Sequence, residues 1–168
     1  MSSNAGGVNQ RFHIDLGSPK KIERIYYENG HAFGQDTNMG AKNFTLWGSN
    51  DASAFANTIY ERDANWTPLT TATSSFDRHI AANQIDPKYI LVTNVHFYRY
   101  YAFKIENNFG HPYCINIRRI ELQSGNYAGA GRKGIILNDG ISLTSGSVPY
   151  VTSNGRLTNN NRMTLAVS

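Results

Sequence analysis

The chain has 168 residues, enough for one domain with a real core, and its ten Tyr, eight Phe and two Trp against 17% charged residues favour β-structure over disorder. No run approaches the length of a membrane span, and MSSNAGGVNQ has neither the charged nor the apolar stretch of a signal peptide, so neither membrane insertion nor the usual secretion route is expected. Most of the net charge of +4 lies beyond residue 125, where Arg132, Lys133, Arg156 and Arg162 stand against Asp139. That leaves no basic folded face of the kind a nucleic-acid binder needs.

In chain order, the first element is RFHIDL, which places Phe12, Ile14 and Leu16 on one face and Arg11, His13 and Asp15 on the other. IERIYY, NFTLW, KYILVT, YAFKIE and CINIRRIEL follow as strands rich in β-branched and aromatic residues. In the last of these Ile115 and Ile117 share a face, and then Ile120 and Leu122 do, so an extra residue at Arg118–Arg119 predicts a β-bulge or bend. SNDASAFAN predicts one helical turn with Ser49 or Asn50 as its N-cap. Recurrent Gly, Asn, Asp and Pro between the runs are the punctuation of an antiparallel sandwich or barrel.

Composition changes after Gly125 to Gly, Ser, Thr and Asn. IILNDGISL reads as a hairpin around Asp139-Gly140, and SNGR as a turn at Asn154-Gly155. Strands this short cannot bury a core alone. The expected organisation is therefore a domain over residues 1–125 and an attachment or assembly segment over 126–168, which suggests a homo-oligomer.

No catalytic motif is present: no GxSxG, no phosphate-binding loop, no HExxH and no Cys/His ligand spacing. His13, His31, His79, His96 and His111 are scattered, and Asp15, Glu23 and Glu121 lie on separate strands, so the chain reads as non-enzymatic. Cys114 sits in an apolar run and predicts a buried, inert thiol. Trp47 and Trp66 read as core or core-edge, with Trp66 beside Leu69, and the Arg118–Arg119 pair reads as a solvated strand face rather than an anion contact. Asn43 and Asn65 stand in glycosylation sequons with no secretion signal to support their use.

Two loops are equipped for recognition. The first carries His31, Phe33, Gln35 and Asp36, and the second Asn107, Phe109, His111 and Tyr113. Sugars pack C–H faces on aromatic rings and offer hydroxyls to planar donors and acceptors, which this mixture supplies. The competing reading is that the rings tuck onto the core edge and the Asn/Gly clusters serve only the turns.

RFHIDLGSPKKIERIYY, GAKNFTLWGSNDASAF, NWTPL, YRYYAFKIENNFG and INIRRIELQ, in this order over residues 11–123, resemble the discoidin-like domain, the C-type domain of coagulation factors V and VIII. The resemblance implies an all-β, antiparallel, jelly-roll-like β-sandwich of the galactose-binding-like class, here with a short β-rich C-terminal extension. It also implies that residues 28–38 and 107–113 are binding spikes at one end. Within that family the ligands are glycans, phospholipid surfaces or proteins. It implies no obligatory cofactor but brings calcium into consideration, with Glu121 matching the C-terminal carboxylate of a frequent site. Only ten residues precede Arg11 here, fewer than in relatives, so part of that binding end and of the calcium site is expected to be missing. Strands from residues 134–151 are expected to cover the exposed sheet edge.

ISLTSGSVPYVTSNGRLTNNNRMTL is similar to segments that recur in bacteriophage tail-fibre and other virion proteins. Together these resemblances imply a virion component, made in the host cytoplasm and acting outside, that binds a cell-surface glycan and touches other virion proteins. The alternative is a structural virion subunit whose sandwich docks protein and binds no sugar. A membrane-surface role fits less well, because HAFGQDTN offers one Phe with an acidic neighbour instead of a basic one.

Overall fold

A computed structural model describes residues 7–125 in full and the backbone of residues 141–144, 150–151 and 157–158. The turns expected at Asp139-Gly140 and Asn154-Gly155 lie outside the described residues. The strands are β1 (Gln10–Lys20), β2 (Arg24–Asn29), β3 (Phe44–Ser49), β4 (Thr67–Thr71), β5 (Lys88–Thr93), β6 (Tyr98–Ile105), β7 (Cys114–Gln123), β8 (Ile141–Thr144), β9 (Tyr150–Val151) and β10 (Leu157–Thr158). Among the described residues β9 and β10 pair with each other. The other eight form one antiparallel ladder in the order β1-β6-β3-β4-β5-β2-β7-β8. The fold is an all-β sandwich.

The ladder folds back on itself where β4 meets β5, because both halves present an apolar face that must leave water. Phe12, Ile14, Phe44, Leu46, Phe103 and Ile105 come from one half, and Ile25, Tyr27, Ile90, Ile115, Ile117, Ile120 and Leu122 from the other, in a single core. Phe12 stacks on Phe103 at 5.0 Å between ring centroids, and Phe44 on Phe76 at 4.2 Å. The predicted bulge is present: Glu28 faces Arg119 and Asn29 faces Ile117, so Arg118 is the residue without a partner. β8 pairs with β7 from Cys114 to Ile117, so the chain's own segment covers that stretch of sheet edge.

The outer face of the first half is not solvated, contrary to what the alternation of β1 suggests. Residues 50–66 cross over it and build a second cluster of Ala54, Phe55, Trp66, Tyr100 and Ala102, with Trp47 packed against it. The helical turn α1 (Ala52–Ala56) is capped by Asp51, whose carboxylate accepts the Ser53 N–H at 2.7 Å. The predicted caps fall one or two residues early because the Ser49 hydroxyl is engaged elsewhere, donating to the Asn65 carbonyl and accepting from the Asp51 N–H. Trp66 likewise belongs to this outer cluster, while Leu69 packs on the main core.

The cover buries Arg11 and His13. Arg11 donates from Nε to His13 Nε2 at 2.7 Å and from Nη1 to Asp63 at 2.8 Å. His13 Nδ1 lies 2.8 Å from the Phe55 carbonyl. One nitrogen must donate and the other accept, so the ring is the neutral Nδ1–H tautomer. Burial, followed by the Arg11 charge, outweighs the Phe55 bond and pushes its pKa down to about 4.

The unfolded chain binds this proton below about pH 6.5, and the folded chain only below about 4. Stability contributed by the neutral ring is therefore complete above pH 6.5 and is lost as pH falls toward 4, a change on the order of 3 kcal/mol. Denaturant unfolding of wild type and His13→Gln across this window is expected to show the smaller pH slope in the variant, whose amide keeps a donor and an acceptor but has no proton to titrate.

Candidate functional site

The antiparallel order brings three connections to one end of the sandwich: residues 30–43, 72–87 and 106–113. Asn29, buried at the end of β2, pins two of them by donating from Nδ2 to the Ala41 carbonyl at 2.7 Å and to the Asp77 carbonyl at 2.9 Å. The Tyr27 hydroxyl accepts the Asp77 N–H at 2.9 Å.

The first predicted spike turns through Ala32–Gly34, one turn of 3-10 helix in which φ is positive at three successive residues: Ala32 (41°), Phe33 (58°) and Gly34 (83°). Only the third is glycine. A Cβ there would sit 2.5 Å from the Ala82 backbone, so the spike lies directly against the 72–87 connection. His31 holds the turn, its Nδ1 accepting the Gly34 N–H at 2.9 Å while its ring stacks on His79 at 4.0 Å. Both imidazoles are buried, and burial followed by the neighbouring His79 pushes the His31 pKa below its ordinary value. Phe33, at the tip, is 79% exposed.

The second spike is braced by its asparagines. Asn107 accepts the Lys42 N–H on its carbonyl at 2.9 Å and the Asn43 N–H on Oδ1 at 3.1 Å. Asn108 donates from Nδ2 to the carbonyls of His111 and Cys114 at 2.7 and 2.8 Å. The spikes touch where the Phe109 N–H donates to the Asn38 carbonyl at 2.9 Å. His111 Nδ1 accepts from the Tyr113 and Cys114 N–H groups at 3.3 and 3.2 Å, which leaves the proton on Nε2, facing Asp36 Oδ2 at 3.6 Å. The edge of His111 meets Tyr113 at 6.0 Å, and Tyr113 is 73% exposed.

The eight predicted residues therefore sit at one end but divide in role. Phe33, Gln35 and Tyr113 are exposed, and Asp36, Phe109 and His111 are half-buried at the join. His31 is buried and Asn107 half-buried, and His31 Nδ1 and Asn107 Oδ1 are spent on loop backbone. Sequence reasoning missed Arg78, from the third connection. Its Nε donates to Thr37 Oγ1 at 2.6 Å, its Nη2 donates to Asn38 Oδ1, and its guanidinium lies 6.0 Å from the Phe109 ring. The basic-aromatic run FDRHI was the available signal. The outcome is two exposed rings separated by a carboxylate–imidazole pair, a surface able to stack on sugar C–H faces and bond to hydroxyls.

The calcium expectation fails on its donor set. Glu121 is fully buried, with Oε1 2.5 Å from Arg119 Nη2 and Oε2 accepting from Gln123 Nε2 at 2.9 Å. A carboxylate neutralised by a guanidinium does not fit a divalent cation. Among the described residues no group of three or more His, Cys, Asp or Glu side chains is placed to hold a metal. Arg118 and Arg119 are not a solvated face either: Arg118 pairs with buried Glu28, and Arg119 lies over the Tyr26 ring at 5.0 Å. Cys114 is half-buried where full burial was expected, and desolvation pushes its thiol pKa up, away from reactivity.

Neither the protein-family models nor the curated proteins compared with this chain match it.

Phe33 makes its display at the cost of backbone strain, and His31 makes it stable. His31→Ala is expected to lower stability by about 1–2 kcal/mol and to speed hydrogen exchange at the Gly34 amide. Phe33→Ala is expected to leave stability within about 0.5 kcal/mol of wild type, read by denaturant unfolding.

Proposed function

We propose that this chain is a non-enzymatic virion protein, part of a phage tail fibre or head decoration, whose sandwich binds host cell-surface carbohydrate and whose segment 126–168 attaches or oligomerises it. The observation that carries the binding reading is the pair of solvent-exposed rings, Phe33 and Tyr113, on neighbouring spikes joined through Asp36 and His111. Rings that only completed the core edge would be buried. The resemblance of residues 11–123 to discoidin-like domains, and of the tail to phage tail-fibre segments, supports the biological setting. An open site of this kind binds one sugar weakly, and many copies on a particle would supply the avidity.

A second reading, a structural subunit that docks protein, draws on Leu91, Val95 and Phe97, exposed on β5 and on the turn that follows it. In an assembled particle the 28–38 and 107–113 loops would face solvent under the first reading and be buried in protein under the second.

The full chain displayed multivalently on a glycan array is expected to bind host-type glycans equally with calcium and with chelator. Phe33→Ala and Tyr113→Ala are each expected to weaken that binding about tenfold, as loss of an anchoring ring does. Binding unchanged in both variants would remove the loops from the site.

A further inference from the structure

A cavity of about 240 Å³ opens on the flank of the sandwich, lined by Asn43, Phe44, Thr45, Tyr60, Ser74, Lys104 and Glu106. It lies between β3, the end of β6, the 50–66 excursion and the feet of the three end connections, which contribute Asn43, Ser74 and Glu106, and neither Phe33 nor Tyr113 lines it. We propose that it is a second saccharide site, one that takes a single neutral pyranose ring.

Size is the first reason. A volume of about 240 Å³ is on the scale of one sugar ring with its hydroxyls. The second is the state of the polar groups. The backbone is pinned: Glu106 N–H donates to the Asn43 carbonyl at 2.8 Å, the Asn9 N–H to the Glu106 carbonyl at 2.9 Å, and the Phe44 N–H to the Ser74 carbonyl at 2.8 Å. Yet the Asn43 amide, the Ser74 hydroxyl and the Glu106 carboxylate make no hydrogen bond or ion pair with another described residue. Rigid backbone with unspent side-chain donors and acceptors is a pre-organised polar site.

Lys104 completes it. Its ammonium donates to Asp63 at 2.7 Å and lies 4.7 Å from the Tyr60 ring and 5.3 Å from the Trp47 ring, which leaves two of its three protons for a ligand. The Thr45 hydroxyl accepts from Trp47 Nε1 at 2.8 Å and keeps its own proton to give. The half-buried Tyr60 ring supplies apolar surface for a C–H face, while the Phe44 ring is turned into the core.

Charge selects the class. Asp63 offsets Lys104 and also pairs with Arg11, and Glu106 adds a carboxylate, so an anionic sugar meets a negative group and a cationic ligand meets Lys104. A neutral polyol satisfies both, offering hydroxyl protons to Glu106 and hydroxyl oxygens to Lys104.

Saturation-transfer NMR of the full chain with D-galactose, D-glucose, N-acetyl-D-glucosamine and D-glucuronate tests the assignment. Transfer to at least one neutral sugar is expected; in the background that lacks both spike rings, Phe33→Ala/Tyr113→Ala, it is expected to be abolished by Ser74→Trp, which fills the cavity from an exposed position, and weakened about tenfold by Glu106→Gln through loss of one charged hydrogen bond. The Phe33→Ala/Tyr113→Ala double variant is expected to keep it, which separates this site from the spikes whatever becomes of them. Absence of transfer from every neutral sugar, a response to glucuronate alone, or unchanged affinity in Glu106→Gln would overturn the proposal. Should Ser74→Trp not fold, Glu106→Gln, at an exposed and unpaired position, decides it.

Discussion

One extra residue in β7 holds much of this molecule in register. Side chains alternate along a strand, so without a bulge at Arg118 the residues after it would exchange faces. Ile120 and Leu122 would then point outward, and Glu121 would enter an apolar core. With the bulge, Ile115, Ile117, Ile120 and Leu122 all reach the core, and Arg118 and Arg119 both meet Glu28 on the outer side. Glu28 is nearly inaccessible to water and also accepts from the Tyr26 hydroxyl. An unpaired carboxylate there would cost several kcal/mol, so the two arginines are a condition of the strand pairing that carries the first spike.

The other half of the sandwich solves a similar problem by covering its outer face. Asp63 reaches in from the excursion and pairs with both Arg11 on β1 and Lys104 on β6. The same contact that neutralises a buried guanidinium therefore orients the ammonium that faces the flank cavity. Lys104 thus serves the fold through Asp63 and also lines the cavity, alongside the exposed Glu106 and Ser74 and the half-buried Asn43.

Most strands were legible because burial on one face writes a period of two into the sequence, and the phase change across Ile117 and Ile120 located the bulge for the same reason. Long-range cover was not legible. Arg11 and His13 alternate as a solvated face would, and nothing local announces that Phe55 and Trp66 come to lie over them. The helix cap went to Asp51 because the Ser49 hydroxyl is taken by Asn65, a partner sixteen residues on. At the candidate site, residue type and loop position picked out two loops that lie side by side at one end of the sandwich. They could not distinguish a side chain that faces solvent, such as Phe33, from one that faces its own backbone, such as His31. Arg78 escaped because its role depends on a third connection meeting the other two.

The first spike is where fold and function pull apart. Ala32 and Phe33 both occupy the left-handed region without being glycine, and each such residue costs about 1–2 kcal/mol. Folding recovers nothing from the Phe33 side chain, since its ring stands in water. The bond from Gly34 to His31 and the stack on His79 lock the turn but do not reward the choice of a large ring at its tip. A glycine or asparagine at position 33 would meet the same backbone with less strain. A strained position that carries an exposed aromatic and gains no internal contact is best explained by a contact made outside the chain, which is why the ring at position 33, more than any other single residue, supports a recognition role for this end of the sandwich.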